Sequence, residues 1–249
     1  MALQEELEQQ GSWLFRYRGT VPILFFITGF AEFLYSEYFP ERFLMKDNLP
    51  AVALLVGSIL ISLFGLWIRI YTVGHTPKNT SGRNVGKQLA DSLNTTGIYS
   101  TVRHPLYLGN FFMWLGPAVL TGSIWFIIAF ILCYWIYYER IMYAEEHFLR
   151  NKFKETYLHW AAGVPAFVPS FRHFVKPALP FSWKKVLKKE KNGLAAIFLI
   201  FYAMDSCSNF IQHEDDYFGP LFYLAIGSLV LYFILKLIKK KKVLHEVDR

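Results

Sequence analysis

Six stretches of the chain, residues 20–39, 51–71, 105–120, 124–138, 193–211 and 217–237, are apolar over lengths close to what a bilayer crossing needs. In lipid the backbone finds no water, so a spanning segment must pair its own N–H and C=O groups. An α-helix does this within one segment. The pattern therefore predicts an all-α, polytopic helical membrane protein with about six transmembrane helices. A soluble domain of 249 residues could bury a good core without such uninterrupted runs, and a composition that is 54% hydrophobic and 18% aromatic agrees with the membrane class.

Charge sets the orientation. A net charge of +7 would also suit a nucleic-acid binder, but its distribution is better explained by membrane orientation, so no nucleic-acid partner is expected. Six spans put both termini on one side. Placing that side in the cytoplasm leaves only Arg42 and Lys46, among all Lys and Arg residues, outside. Glu5, Glu6 and Glu8 give the wrong charge for the start of a secretory signal, and no small-residue cleavage site follows residue 39, so the first span is retained. The expected location is a bacterial inner membrane or endoplasmic reticulum. Cys133 and Cys207 lie in apolar segments at no metal or redox spacing and read as small buried hydrophobes. Glu32 and Asp205, carboxylates inside spans, read as structural hydrogen-bonding groups.

The chain divides into an N-terminal pair of spans with a polar loop (1–93), a central segment (94–170), and a basic linker with a C-terminal hairpin (171–249). In the second span Gly57, Ile61 and Gly65 recur every four residues, as do Ser58 and Ser62, giving one face small enough for close helix packing. The third and fourth spans are joined by only Thr121-Gly122-Ser123 and must form a tight antiparallel hairpin. The third is short: 16 residues make about 24 Å of helix, against a hydrocarbon core of about 30 Å.

Chemistry concentrates where this hairpin meets the cytoplasm. Pro105 suits the first position of a helix, which places Arg103, His104 and the free N–H groups of Leu106 and Tyr107 at the positive end of the helix dipole. Such an end binds anions. An ordinary helix boundary with snorkelling cations is the plainer alternative. The fourth span continues as a polar helix through Arg140, Tyr143, Glu145, Glu146 and His147, with Arg140, Tyr143 and Glu146 near one face. A tight hairpin brings the Glu145-Glu146 pair level with His104-Pro105. A cationic, dipolar helix start against paired carboxylates suits a zwitterion.

The residues Gly97-x-Tyr99, Arg103-His104-Pro105-x-Tyr107-x-Gly109, Arg140-x4-Glu145-Glu146-x2-Leu149, Phe153, Tyr157 and Val164-Pro165-x-Phe167-Val168-Pro169 resemble the isoprenylcysteine carboxyl methyltransferase and phospholipid methyltransferase family. The resemblance covers about residues 94–170. It implies an integral-membrane enzyme that uses S-adenosylmethionine, with His104, Tyr107 and the Glu145/Glu146 pair around the cofactor. Physical chemistry extends that assignment. The donor's carboxylate suits Arg103 and the helix start, its ammonium and ribose suit Glu145 or Glu146, and its adenine suits Tyr99, Tyr107 or Tyr143. His104 or Glu146 would be the base for an amine or hydroxyl acceptor.

The expected acceptor is a lipid or lipid-linked group carrying an anionic oxygen. Lys78, Arg83, Lys87, Arg103 and Arg140 give this face more cationic charge than one cofactor carboxylate uses. Phospholipid N-methylation, a sterol-type membrane reductase using a nicotinamide cofactor, and a transporter or scaffold stand as alternatives. The loop 76–93 and the last two spans map onto nothing in the family. His75 and His147 match no metal spacing, and no metal is expected.

Overall fold

The computed structural model describes residues 2–77 and 90–240, and the described residues form helices with no strand. These are α1 (Leu3–Arg16), α2 (Val21–Tyr38), α3 (Leu44–Asn48), α4 (Ala51–Gly74), α5 (Pro105–Leu120), α6 (Ile124–Gly163), α7 (Trp183–Gln212) and α8 (Pro220–Lys240). Four of them, α4, α6, α7 and α8, are long and apolar enough to cross a membrane. The pair α1 and α2 qualifies only together, bent by 74°. Length and composition thus support four crossings, or five with the bent pair, where six were expected. The shortfall has a simple cause: α5 has 16 residues and is too short by itself, and α2 carries Glu32 and Glu37 within its 18.

The α4–α5 pair packs closely, because small residues face each other along it. A Cβ on Gly65 would collide with the backbone at Gly109 and Met113, and one on Gly116 with Ser58 and Ser62. Ser62 donates to the Met113 carbonyl at 2.9 Å, fixing the register across the pair. Of the small face read from sequence, Ser58, Ser62 and Gly65 make this contact, whereas Gly57 faces open space.

The α5–α6 turn is as tight as its three residues demand. Gly122 takes φ +69°, the left-handed conformation that a Cβ disfavours. Ser123 caps α6, its hydroxyl accepting from the Phe126 N–H at 3.3 Å. Residues 124–138 of α6 form its apolar part, and the polar extension from Glu139 runs on beyond it. At Lys154 the chain leaves helical geometry, with φ 47° and ψ −124°, and the last residues of α6 turn back.

The lysine-rich stretch expected to be a linker is instead the first turns of α7, which Ser182 caps by accepting from the Lys185 N–H at 3.1 Å. Lys185 itself is buried and donates to the Thr76 carbonyl and hydroxyl and to the Pro77 carbonyl. α7 therefore packs against the end of α4. At the opposite end of the bundle, the carboxylate that α2 buries is Glu37 rather than Glu32. Glu37 pairs with Lys46 and accepts from Ser208 and Gln212. Cys133 is exposed on α6, not buried, on a face left uncovered by the described helices.

Candidate functional site

The site forms where the starts of α5 and α7, the end of α4 and the polar extension of α6 converge. Two features of the sequence hold Arg103 and His104 in place. The segment 164–178 runs alongside them: the Arg103 N–H donates to the Pro165 carbonyl at 2.9 Å, His104 N–H to Ala166 at 3.2 Å, and Ser170 N–H to Thr101 at 2.9 Å. The Val164-Pro165-x-Phe167-Val168-Pro169 element is thus a strap on the Arg-His pair. Phe167 anchors it against Phe111 and Trp135. Pro105 then starts α5 directly, and the first turn leaves the Leu106 and Tyr107 N–H groups without helical acceptors.

Both carboxylates of α6 face this helix start, but they do different things. Glu146 accepts from Arg103 Nη1 at 3.0 Å and lies 2.9 Å from His104 Nε2. Glu145 accepts from the Tyr107 hydroxyl at 2.7 Å and lies 3.7 Å from both Arg18 Nη1 and His104 Nδ1. A ladder of tyrosines ties the two helices together below: the Tyr134 hydroxyl donates to the Tyr107 carbonyl at 2.8 Å, and Tyr134 stacks on Tyr138.

Electrostatics favours the ionised form of Glu146. Burial by itself would raise its pKa, but the hydrogen bond to His104 and the nearby His104 and Arg103 charges outweigh it, so the pKa falls below the ordinary 4.5. A carboxyl depressed in the folded state contributes stability that is complete above that ordinary value and is lost as pH falls through the folded one. The unfolding midpoint in detergent should therefore drop as pH falls below 4.5. Glu146→Gln should flatten that acid-side slope, and an unchanged slope would assign the loss to another group.

These groups open onto a cavity of about 660 Å³. Arg103, His104, Pro105, Tyr107, Tyr99 and Glu145 line it, so most of the residues read from sequence converge. Five do not line it. Arg140 turns outward, its Nε donating to Gln10 at 3.0 Å and its Nη1 lying 3.7 Å from Glu139. It sits on the α6 face that packs on α1, a placement that helical spacing could not reveal. Tyr143 is also absent from the wall. Gly109 packs against Arg69 and Gly65, and Gly97, at φ +62°, makes the turn before α5 with its N–H on the Val175 carbonyl. Glu146 stands behind Arg103 and His104, holding them rather than facing the cavity. Lys78, Arg83 and Lys87 lie outside the described residues.

Other wall residues were not singled out from the sequence. Arg18 arrives from the turn after α1, and Trp160 from the end of α6, where its indole N–H donates to the Tyr99 carbonyl at 3.2 Å. Arg69 of α4 is held by Glu190 of α7 through Nε and Nη2, each 2.8 Å from a carboxylate oxygen, and by Asn110 through Nη1 at 2.7 Å. A lone Arg among apolar residues at a helix end was the available signal for Arg69. Deeper, the wall becomes apolar, with Met113, Trp114, Pro117, Ile197, Ile200 and Phe201.

The fold and site define a helical membrane protein with an amphiphilic cavity at one end of its bundle. Residues 52–156 match the family model for phospholipid methyltransferases. Over this segment the chain is similar to the isoprenylcysteine carboxyl methyltransferase and phospholipid methyltransferase family, the resemblance that its motifs carry. A protein-S-isoprenylcysteine O-methyltransferase from Xenopus laevis is 33% identical over 139 residues, 53% of this chain and 46% of that protein. One from Arabidopsis thaliana, the B form, is 35% identical over 119 residues, 44% of this chain and 59% of its own. The nickel-cobalt-cadmium resistance protein NccN of Alcaligenes xylosoxydans xylosoxydans is 31% identical over 120 residues, 48% of this chain and 50% of its own. The chain thus spans about half the length of the curated relatives it matches. No solved structure matches it.

Proposed function

We propose that this protein transfers a methyl group from S-adenosylmethionine to a lipid or lipid-linked acceptor, at an anionic oxygen, on the cytoplasmic face of the membrane. The observation that carries this is the cavity's division into a polar end beside α5 and an apolar end between α5 and α7. Its volume falls in the ordinary range for small-molecule sites, and its depth suits a polar donor at one end and a hydrocarbon chain at the other.

The polar end fits S-adenosylmethionine. Arg103 Nε is buried with no partner among the described residues, and with the first N–H groups of α5 it would receive the carboxylate. Glu145 would take the ammonium or ribose hydroxyls, and Tyr99 and Trp160 offer ring faces for adenine. The bound donor supplies a sulfonium methyl that an oxyanion takes in one displacement, the C–S electron pair leaving on sulfur. The residues therefore mainly position and balance charge.

Charge in the cavity differs from the sequence expectation. Of the five cations invoked there, Arg103 is matched by Glu146, Arg140 faces away, and the other three are not described. The cation at the junction of the two halves is Arg69. Its bonds to Glu190 and Asn110 use three of five N–H groups, and the two left, one on each Nη, suit an acceptor oxyanion. A phospholipid amine is the second reading, favoured by Glu145 and Glu190 on the wall. The test uses membrane vesicles given methyl-labelled S-adenosylmethionine from outside. Everted vesicles should incorporate base-labile label into the lipid extract or onto a farnesylated cysteine, and right-side-out vesicles should not. Base-stable label on nitrogen would replace the first reading by the second. No lipid-soluble label from either orientation would refute both.

A further inference from the structure

Glu190 lies outside the methyltransferase segment 52–156, on α7, yet it faces the cavity. It is only 3% exposed. A carboxylate so buried needs a partner, and it has one: both oxygens engage Arg69 along the Nε–Nη2 edge at 2.8 Å. This side-on pair fixes the guanidinium plane. Asn110 of α5 holds the third position at 2.7 Å. The remaining N–H groups of Arg69 then have one orientation, at the level where the wall changes from polar to apolar. Three residues further along α7, Gly193 lines the same cavity, and Ala196, Ile197, Ile200 and Phe201 continue its apolar wall.

We propose that Glu190 is a positioning residue for methyl transfer, its clamp on Arg69 making α7 an integral part of the acceptor half of the site. The inference rests on the function proposed above. A pair that merely fastened α7 to α4 would need no place in the cavity wall, and Ser182 with Lys185 already joins those helices at Gly74 and Thr76.

The test measures S-adenosylhomocysteine affinity and transfer to whichever of farnesylated cysteine and total lipid extract the wild type labels. Glu190→Gln keeps the volume but replaces one accepting oxygen with an amide. It should bind S-adenosylhomocysteine within twofold of wild type and lose at least tenfold in kcat/KM for the acceptor. The exchange Arg69→Glu with Glu190→Arg should restore the unfolding midpoint without restoring transfer, because the guanidinium then projects from the wrong helix. Transfer within twofold of wild type in Glu190→Gln would overturn the proposal, as would recovery of transfer in the exchanged pair. Loss of S-adenosylhomocysteine binding in Glu190→Gln would also overturn it, by assigning the pair to the fold. Wild-type protein that binds S-adenosylhomocysteine but labels neither acceptor would sink the parent reading instead.

Discussion

Gly116→Val and Gly65→Val should each unfold this protein at markedly lower temperature, or prevent its accumulation, whereas Gly57→Val should leave the midpoint nearly unchanged. At Gly65 and Gly116 any Cβ meets the backbone of the facing helix, and at Gly57 it meets nothing within 4 Å. Backbone cannot rotate away as a side chain does, so α4 and α5 must separate along their length. Overpacking of a close interface costs on the order of 1–3 kcal/mol, and more where only backbone can move. The measurement is thermal unfolding in detergent. Equal midpoints for Gly65→Val and Gly57→Val would show that the two helices are not packed as described. Separation would also carry Arg69 away from Asn110, so any folded residue of the Gly65 variant should transfer methyl groups poorly.

The second large effect belongs to Glu146. Glu146→Ala deprives Arg103 and His104 of their shared acceptor and leaves a half-buried guanidinium unpaired. Hydrogen bonds to charged groups contribute about 1.5–3 kcal/mol each. S-adenosylhomocysteine binding should therefore weaken by roughly one to two orders of magnitude, and His104→Ala should weaken it over the same range. Calorimetric titration of the purified variants provides the check. Affinity unchanged in both, with the fold intact, would move the donor site elsewhere. Because Glu146 acts through Arg103 and His104, Glu146→Gln, which still accepts one bond, should recover part of the loss.

Arg140 offers a contrast. Its side chain meets Gln10 and Glu139 at the α1 interface, where exposed polar contacts contribute little. Sequence spacing suggested that Arg140, Tyr143 and Glu146 lie near one helix face, but six residues at about 100° each leave Arg140 and Glu146 roughly 120° apart, so they meet different neighbours. Which face meets α5 and which meets α1 depends on how α1 folds back on α6. Nothing local in residues 139–149 encodes it.

Several features were legible in the chain because their causes are local. Lipid forces helices on long apolar runs, Pro105 starts α5, and a three-residue connection brings His104 level with Glu145 and Glu146. From those facts alone the polar end of the site follows. The small face of α4 was readable too, though not which of its two diagonals, the glycines or the serines, would be used.

The tertiary structure alone decided the other half. Arg69, Asn110 and Glu190 come from three helices separated by long stretches of chain. They meet because Gly65 and Gly109 let α4 and α5 approach closely and because α7 docks on the end of α4. The extra turns of α7 were hidden by its lysines, which look like a solvated linker until the Ser182 cap and the burial of Lys185 place them on a helix. Helix formation by apolar runs is a property of single segments, so the helical membrane class was readable from sequence. The count of six was not: α5 is too short by itself, and α1 with α2 qualifies only as a bent pair. A cavity wall is a property of how segments pack, and packing in lipid turns on small-residue contacts and buried polar pairs whose partners lie far apart in the chain.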